Sequence, residues 1–301
     1  MRQTLQSLLT FGREELKRHN NPEPELDAKY LLLEAFRTDM AHFLMNRSRE
    51  LPDNQEIREM TRRYREMIGK RALRIPLQQI LGVQEFMGVS FFVNRHVLIP
   101  RQDTETLVEL ILKEHPGQGE RILDLCTGSG CIAVSLALRG RYKTITAVDL
   151  SSEALKVAAK NCERLLGEGE NEGRQYPKVD LRQGDLFMAL KQGEEPFDLL
   201  VSNPPYIPTA VIEGLEPEVR DFEPRMALDG SGDGLEFYRR IALEGKAFLK
   251  KGASIYLEIG YDQGTSVKAI LESNGFRHIR IVQDQAGRDR VVTAATDSNG
   301  L

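Results

Sequence analysis

The chain has little cysteine, no long apolar run and no large excess of either charge, and each absence closes off a class of protein. Its three cysteines, Cys126, Cys131 and Cys162, are odd in number and have no metal-type spacing to any histidine. Reduced thiols are therefore expected, with no disulfide framework and no metal. No stretch reaches the roughly 18 consecutive apolar residues that a membrane helix needs, and the N-terminus lacks the apolar core of a signal segment. A cytoplasmic protein without a membrane partner is expected. The formal net charge of −4 over 301 residues argues against a chain that grips bare nucleic acid over its whole surface. There is no internal repeat and no low-complexity tract. What is present is 41% hydrophobic residues, enough for two domains with separate cores.

The middle of the chain reads as alternating strands and helices. Arg121-Ile122-Leu123-Asp124-Leu125 is a short buried strand running into Cys126-Thr127-Gly128-Ser129-Gly130-Cys131 and then into the helical run Ile132 to Ala137. Glycines in such a turn let backbone approach a ligand at a helix N-terminus. A second strand, Thr144 to Val148, ends at Asp149, a carboxylate placed to accept both hydroxyls of a ribose; Ser151 or Ser152 caps the next helix. The spacing lacks Gly-x-Gly-x-x-Gly, so it suits S-adenosylmethionine, which has no pyrophosphate, better than a dinucleotide. A glycine-rich turn of an unrelated α/β domain remains the alternative. Val179 to Phe187 reads as a third strand followed by a turn, placing Asp185 beside the crevice, where it either accepts from an adenine amine or caps the following turn.

Phe197 to Ser202 is an apolar strand that ends on Asn203-Pro204-Pro205-Tyr206. Ligands of open α/β sheets bind at the carboxyl ends of strands. The Asn203 side-chain oxygen and the Pro204 carbonyl can accept from the two N–H groups of a planar nitrogen, two prolines restrict the backbone, and Tyr206 offers a flat wall. Methyl transfer to an amide or an exocyclic amine is the chemistry this suggests. Taken alone, the tetrapeptide is also an ordinary turn leaving a strand.

Leu98-Ile99-Pro100-Arg101-Gln102-Asp103-Thr104-Glu105, Asp124 to Gly130, Ala147 to Ser151, Asn203 to Ile207, Arg220 to Arg225, Asp233-Gly234-Leu235 and Gly287 to Val291 together resemble the HemK/PrmC family. The resemblance runs from about Pro22 to Val292. It implies a seven-stranded Rossmann-like class I methyltransferase sheet, with S-adenosyl-L-methionine as donor and S-adenosyl-L-homocysteine as product. The implied substrate is the glutamine side chain in the Gly-Gly-Gln motif of peptide chain release factors. Carried over by position, Asp124, Cys126, Thr127, Gly128, Ser129, Gly130, Asp149, Asp185, Leu186 and Asn203 would hold the cofactor. Asn203, Pro204, Pro205 and Tyr206, with Phe86 and Arg101, would hold the glutamine. Cys126 stands where the family usually has glycine, which predicts strain if φ is positive there. Leu186 stands where relatives often carry an aromatic, Gln102 replaces a usual proline, and Gln79 a common tyrosine. An adenine methyltransferase acting on nucleic acid is the alternative, since the adenine amine presents the same donors. A non-catalytic module that keeps the fold is the other.

Residues 1–76 alternate helical runs with capping signals and predict a small helical domain, which the resemblance makes a release-factor recognition domain. Within it Arg58, Arg62, Arg63, Arg65, Lys70, Arg71 and Arg74 form either a solvated face interleaved with glutamates or a docking surface. Residues 77–100 are expected to be a β-hairpin linker, in which Phe86 or Phe91 either lines the glutamine pocket or is core. Residues 101–301 form the methyltransferase domain. A Gly/Glu-rich loop is expected from Glu168 to Arg174, and a longer polar segment from Pro208 to Arg225, where Glu223-Pro224-Arg225 either braces the active-site loop or lies on the surface. A monomer is expected, with no stable nucleic-acid partner.

Overall fold

The computed structural model describes residues 3–167 and 175–297, so the loop expected from Glu168 to Arg174 lies outside the described residues. The chain divides into two compact units, residues 1–82 with 216–222, and residues 83–215 with 223–301. The hairpin expected as a linker clusters with the second unit, and a seven-residue piece of the polar segment clusters with the first.

The first unit is helical because its apolar residues recur at helical spacing and its turns carry caps. Helix α1 (Leu5–Arg18) starts at Thr4, whose hydroxyl accepts from Ser7 N–H at 3.0 Å while the Ser7 hydroxyl accepts from Thr4 N–H at 2.9 Å. Helix α2 (Pro24–Ala35) has proline in its first turn, and Asp39 and Asn54 cap α3 (Met40–Asn46) and α4 (Gln55–Ala72). A short α5 spans Leu77–Leu81. Leu8, Leu16, Leu31, Leu32, Tyr64 and Ile68 form the core.

The basic run on α4 is largely paired within this unit. Arg58 meets Asp53 at 2.9 Å, Arg63 meets Glu34 at 2.6 Å, and Arg62 lies between Glu59 and Glu66. Arg71 is buried, with Asp27 at 2.6 Å and Glu218 at 2.9 Å, and Arg74 closes on Glu218 at 2.5 Å. Arg58, Arg62 and Arg63 therefore match the solvated-face reading, whereas Arg71 is buried against its carboxylates and fits neither reading.

In the second unit, β1 (Val83–Phe86) and β2 (Val89–Phe92) pair antiparallel across Met87-Gly88. The main sheet has seven strands: β3 (Arg121–Leu125), β4 (Thr144–Asp149), β5 (Lys178–Gln183), β6 (Phe197–Ser202), β7 (Leu249–Glu258), β8 (Arg277–Gln283) and β9 (Asp289–Ala295). Their order is β5-β4-β3-β6-β7-β9-β8, parallel from β5 to β7, with β9 antiparallel to both of its neighbours. Helices α6 (Gln102–Glu114), α7 (Cys131–Arg139) and α8 (Ser152–Leu166), with Glu236–Glu244 and Gly264–Ser273, accompany the sheet. Successive strand residues serve different cores: Leu200 packs with Tyr238 and Leu257, whereas Leu199 and Val201 pack with Leu107 and Val134. Burial on both faces explains why the parallel strands read as apolar runs instead of alternating ones. The chain proceeds outward from β3 to β4 and β5 and then crosses back to β6 on the other side of β3. That reversal opens a crevice at the carboxyl ends of β3, β4 and β6.

Candidate functional site

The crevice holds a cavity of about 410 Å³ built wholly from the second unit. Its floor is the loop after β3. Cys126, Gly128 and Gly130 all have positive φ, 60°, 56° and 77°, so the strained backbone expected at Cys126 is present. Gly130 takes this conformation without penalty and lets α7 begin close against α8, where a Cβ would meet Ala158 Cβ at 3.2 Å. Thr127 N–H donates to Val148 O at 2.9 Å, tying the loop to β4.

Asp149, at the end of β4, accepts from Gly128 N–H and Ser151 N–H, each at 2.8 Å. Burial raises its carboxyl above the ordinary range, and these backbone donors oppose that shift. Behind the loop Asn161 of α8 is completely buried. Its Oδ1 accepts from Phe92 N–H at 2.8 Å, and its Nδ2 donates to Phe92 O at 3.0 Å and Ser129 O at 2.9 Å. One side chain thus fixes both the hairpin and the loop. Nothing in the sequence singled it out, because its partners are backbone atoms 32 and 69 residues away.

Of the residues picked from the sequence, the cavity wall brings together Arg101, Cys126, Thr127, Gly128, Ser129, Asp149, Asp185, Leu186, Asn203 and Pro205. Asp185 is held by Arg240 at 3.0 Å. Arg101 donates to both oxygens of Glu223 at 2.8 and 2.7 Å, so the Glu223 segment does brace a residue of the wall. Burial pushes the Glu223 carboxyl up, and the Arg101 guanidinium opposes that shift. Asn203 turns Nδ2 toward Thr104 Oγ1 at 3.2 Å.

Five expected residues do not line the cavity. Phe86 is wholly buried and packs edge-on against Phe91 in the core, because the pleat of the hairpin turns both rings inward. Asp124 is buried beneath the loop, where its Oδ2 accepts from the Thr127 hydroxyl at 2.6 Å. Its Oδ1 has no hydrogen-bond partner, and burial pushes the carboxyl up to about 7. Gly130 turns the chain into α7. Pro204 is buried, and Tyr206 rests on the core with its carbonyl accepting from Gln263 Nε2 at 2.9 Å. The close approach of Gly234 belongs to this same corner, where a Cβ would stand 2.3 Å from Tyr206 O.

Glu258, at the end of β7, was not singled out by the sequence reading. It is 1% exposed, and the parallel register of β6 with β7 sets it beside Asn203 at the strand ends. Burial pushes its carboxyl up to about 7. Among the described residues no three His, Cys, Asp or Glu side chains are grouped to hold a metal ion, and no helix is long and apolar enough to cross a membrane.

A seven-stranded sheet with this order, a tight loop after its first strand and an acidic end to the next define a class I methyltransferase. The likeness to a methyltransferase from Pyrococcus furiosus, at a TM-score of 0.50 and 18% identity over 70% of this chain and 91% of that one, is a likeness of fold. Residues 7–82 match the PrmC N-terminal domain and residues 101–213 the methyltransferase small domain. The release factor glutamine methyltransferase of Geobacter sulfurreducens is 39% identical over 289 residues, 96% of this chain and 95% of its own. That of Caulobacter vibrioides is 38% identical over 291 residues, with the same two coverages. The chain belongs to the release factor glutamine methyltransferase family.

Proposed function

We propose that this protein methylates the side-chain amide nitrogen of the glutamine in the Gly-Gly-Gln motif of peptide chain release factors, using S-adenosyl-L-methionine. The observation that carries the reading is the Asn203 amide, set at the cavity wall at the end of β6 with its nitrogen turned away to Thr104. An amide so turned leaves Oδ1 as an acceptor, which is what the two N–H groups of a glutamine amide require.

The residues present fit the cofactor. The cavity has the size usual for a small-molecule site, the loop from Cys126 to Ser129 brings backbone to its floor, and Asp149 supplies a carboxylate at its edge. When bound, the cofactor supplies an electrophilic methyl group. Asp149 would take the ribose hydroxyls, while Asp185 and Leu186 would flank the base. Asn203 would orient the glutamine nitrogen, with Pro204, Pro205 and Tyr206 fixing the backbone that carries it. Holding reactants in line can contribute roughly 7–11 kcal/mol to the barrier reduction. Acceptors aimed at a nitrogen that becomes more positive as it is alkylated add to this. The proton lost afterwards leaves an acidic nitrogen, and water suffices as its acceptor. The helical first unit is assigned to recognition of the release factor, and the protein to the cytoplasm as a monomer.

The test is transfer of labelled methyl from S-adenosyl-L-methionine to a purified release factor, to its Gln→Ala variant at the Gly-Gly-Gln motif, and to DNA and RNA. Label on the factor, absent from the variant, is the expected outcome. Label on nucleic acid would keep the planar-nitrogen chemistry and overturn the substrate. Asn203→Ala should lower turnover by roughly 10²–10³-fold, as loss of one transition-state hydrogen-bonding group does, with little change in cofactor affinity.

A further inference from the structure

We propose that Arg240 is a positioning residue for the cofactor base: it holds Asp185 by one carboxylate oxygen, so that the other is left to accept from the adenine amine. The inference rests on the assignment of the base to Asp185 and deepens it.

The turn after β5 brings Asp185 to the cavity without help from its own side chain. β5 runs parallel to β4 with Gln183 opposite Asp149, and Gly184 N–H donates to Asp149 O at 3.0 Å. The turn therefore leaves the sheet beside the carboxylate assigned to the ribose. Glycine is needed at 184, where a Cβ would stand 2.8 Å from the backbone of Ala189. Leu186 has φ of 48°, a left-handed conformation that a bulky side chain rarely adopts. Its side chain is 3% exposed and belongs to the core with Val148 and Phe187. Strained backbone of this kind persists only where the surrounding packing over-determines it. Gly184, Asp185 and Leu186 all line the cavity.

The capping role open to Asp185 in the sequence is not taken up. Asp185 precedes the short turn Leu186–Ala189, yet its side chain accepts from none of that turn's N–H groups. Among the described residues its carboxylate is paired with Arg240, whose Nη2 lies 3.0 Å from Oδ2, and Oδ1 makes no hydrogen bond. Arg240 also lines the cavity. It stands on the helix Glu236–Glu244, which buries Tyr238, Ile241 and Ala242 in the core, and the Tyr238 hydroxyl donates to Glu258 O at 2.8 Å. Glu244, one turn further on, faces the guanidinium at 3.8 Å. A packed turn and an anchored helix thus hold the carboxylate from two sides.

An aspartate free to turn at a cavity wall loses that freedom when a ligand binds, and the loss subtracts from the gain of the new hydrogen bond. An ion pair already fixing one oxygen removes most of that loss. It also selects, because a carboxylate accepts and does not donate, and so favours a base that carries an amine at this point. The two side chains are 29% and 39% exposed, and an ion pair so open to solvent contributes little to folding. Arg240 can therefore be replaced without unfolding the protein.

The experiment measures by calorimetry the Kd of S-adenosyl-L-homocysteine and of its analogue with hydrogen in place of the adenine amine. The proteins are the full-length wild type, Arg240→Met and Asp185→Ala, each checked for folding by far-UV circular dichroism. The wild type is expected to prefer the amine-bearing ligand by roughly tenfold or more, as a hydrogen bond to a charged acceptor provides. Asp185→Ala is expected to bring the two ligands within about threefold of each other. Arg240→Met is expected to do the same, while binding the analogue within about threefold of wild type. An Arg240→Met variant that keeps the preference while Asp185→Ala loses it overturns the proposal. So does an Arg240→Met variant that weakens both ligands equally, since Arg240 would then be a general support of the cavity. A wild type without the preference, or an Asp185→Ala variant that keeps it, would refute the assignment of the base to Asp185 and the proposal with it. These outcomes are read without methyl transfer, so they stand whatever the release-factor assay gives.

Discussion

Cys126 places a Cβ where the backbone has φ of 60°, and this makes a sign prediction about two substitutions. At ordinary helical or extended positions alanine is more stabilising than glycine by roughly 0.4–1 kcal/mol, because glycine has more freedom to lose on folding. In the left-handed region a Cβ costs roughly 1–2 kcal/mol. The two effects oppose each other, and strain is the larger. Cys126→Gly should therefore be more stable than Cys126→Ala by about 0.5–1 kcal/mol. Both variants lose the sulfur that packs against Leu125 and its neighbours, so that loss cancels in the comparison. The assay is urea unfolding followed by far-UV circular dichroism without cofactor, since a ligand that binds only the folded state would mask the difference. The two variants must show equal m-values. An alanine variant as stable as the glycine variant, or more so, would show that the loop relaxes out of the left-handed region and would refute the strain argument.

Asn161→Ala should destabilise the protein by about 3 kcal/mol, because Phe92 N–H, Phe92 O and Ser129 O lose their partner together and each costs about 1 kcal/mol, the low end of the range for buried unsatisfied groups, since Phe92 is only half-buried. Thermal unfolding would show it, and a loss below about 0.5 kcal/mol would mean that water replaces the amide. Asp124 tests the pH dependence. Its carboxyl is raised from 3.8 to about 7, so the folded state holds the proton more tightly than the unfolded chain. Its contribution to stability therefore falls as pH rises from about 4 to 7 and levels off above that. Asp124→Asn removes this loss while an amide oxygen still accepts from Thr127. Its advantage in urea midpoint should grow between pH 5 and 8, up to an upper bound of roughly 4 kcal/mol at 1.36 kcal/mol per pH unit. An advantage that is constant with pH would show that Asp124 is already charged in the folded protein at pH 5, so that burial does not raise its carboxyl.

Local order was legible where a single segment carries both a strand and the residues at its end. β3, β4 and β6 are apolar runs closed by glycine, aspartate or asparagine, so the sequence locates the strand, its carboxyl end and the loop beyond it in one reading. The strain at Cys126 was expected only through the resemblance, which puts glycine there, and the positive φ itself came from the structure. Side-chain direction was less so: the alternation of the pleat decides that Phe86 enters the core, and a four-residue strand is too short to fix its phase from composition. The burial of Asp124 was hidden by the same ambiguity, since a strand-end carboxylate reads alike whether it faces a ligand or lies under the loop.

What could not be read was anything that depends on which strands become neighbours. Asn203 and Glu258 are 55 residues apart in sequence, and only the parallel register of β6 with β7 sets them side by side. Asn161 is hidden in the same way, as a polar residue in a helix whose partners are main-chain atoms of a hairpin and a loop. In both cases the available signal was a polar residue interrupting a buried pattern: Glu258 ends the run Ser254 to Leu257, and Asn161 lies on the buried side of α8 with Val157 and Ala158. A polar residue completely buried in an apolar pattern must be held by hydrogen bonds or be destabilising. Such a residue near a strand end at the ligand rim is therefore a candidate for supporting the site even when no motif contains it.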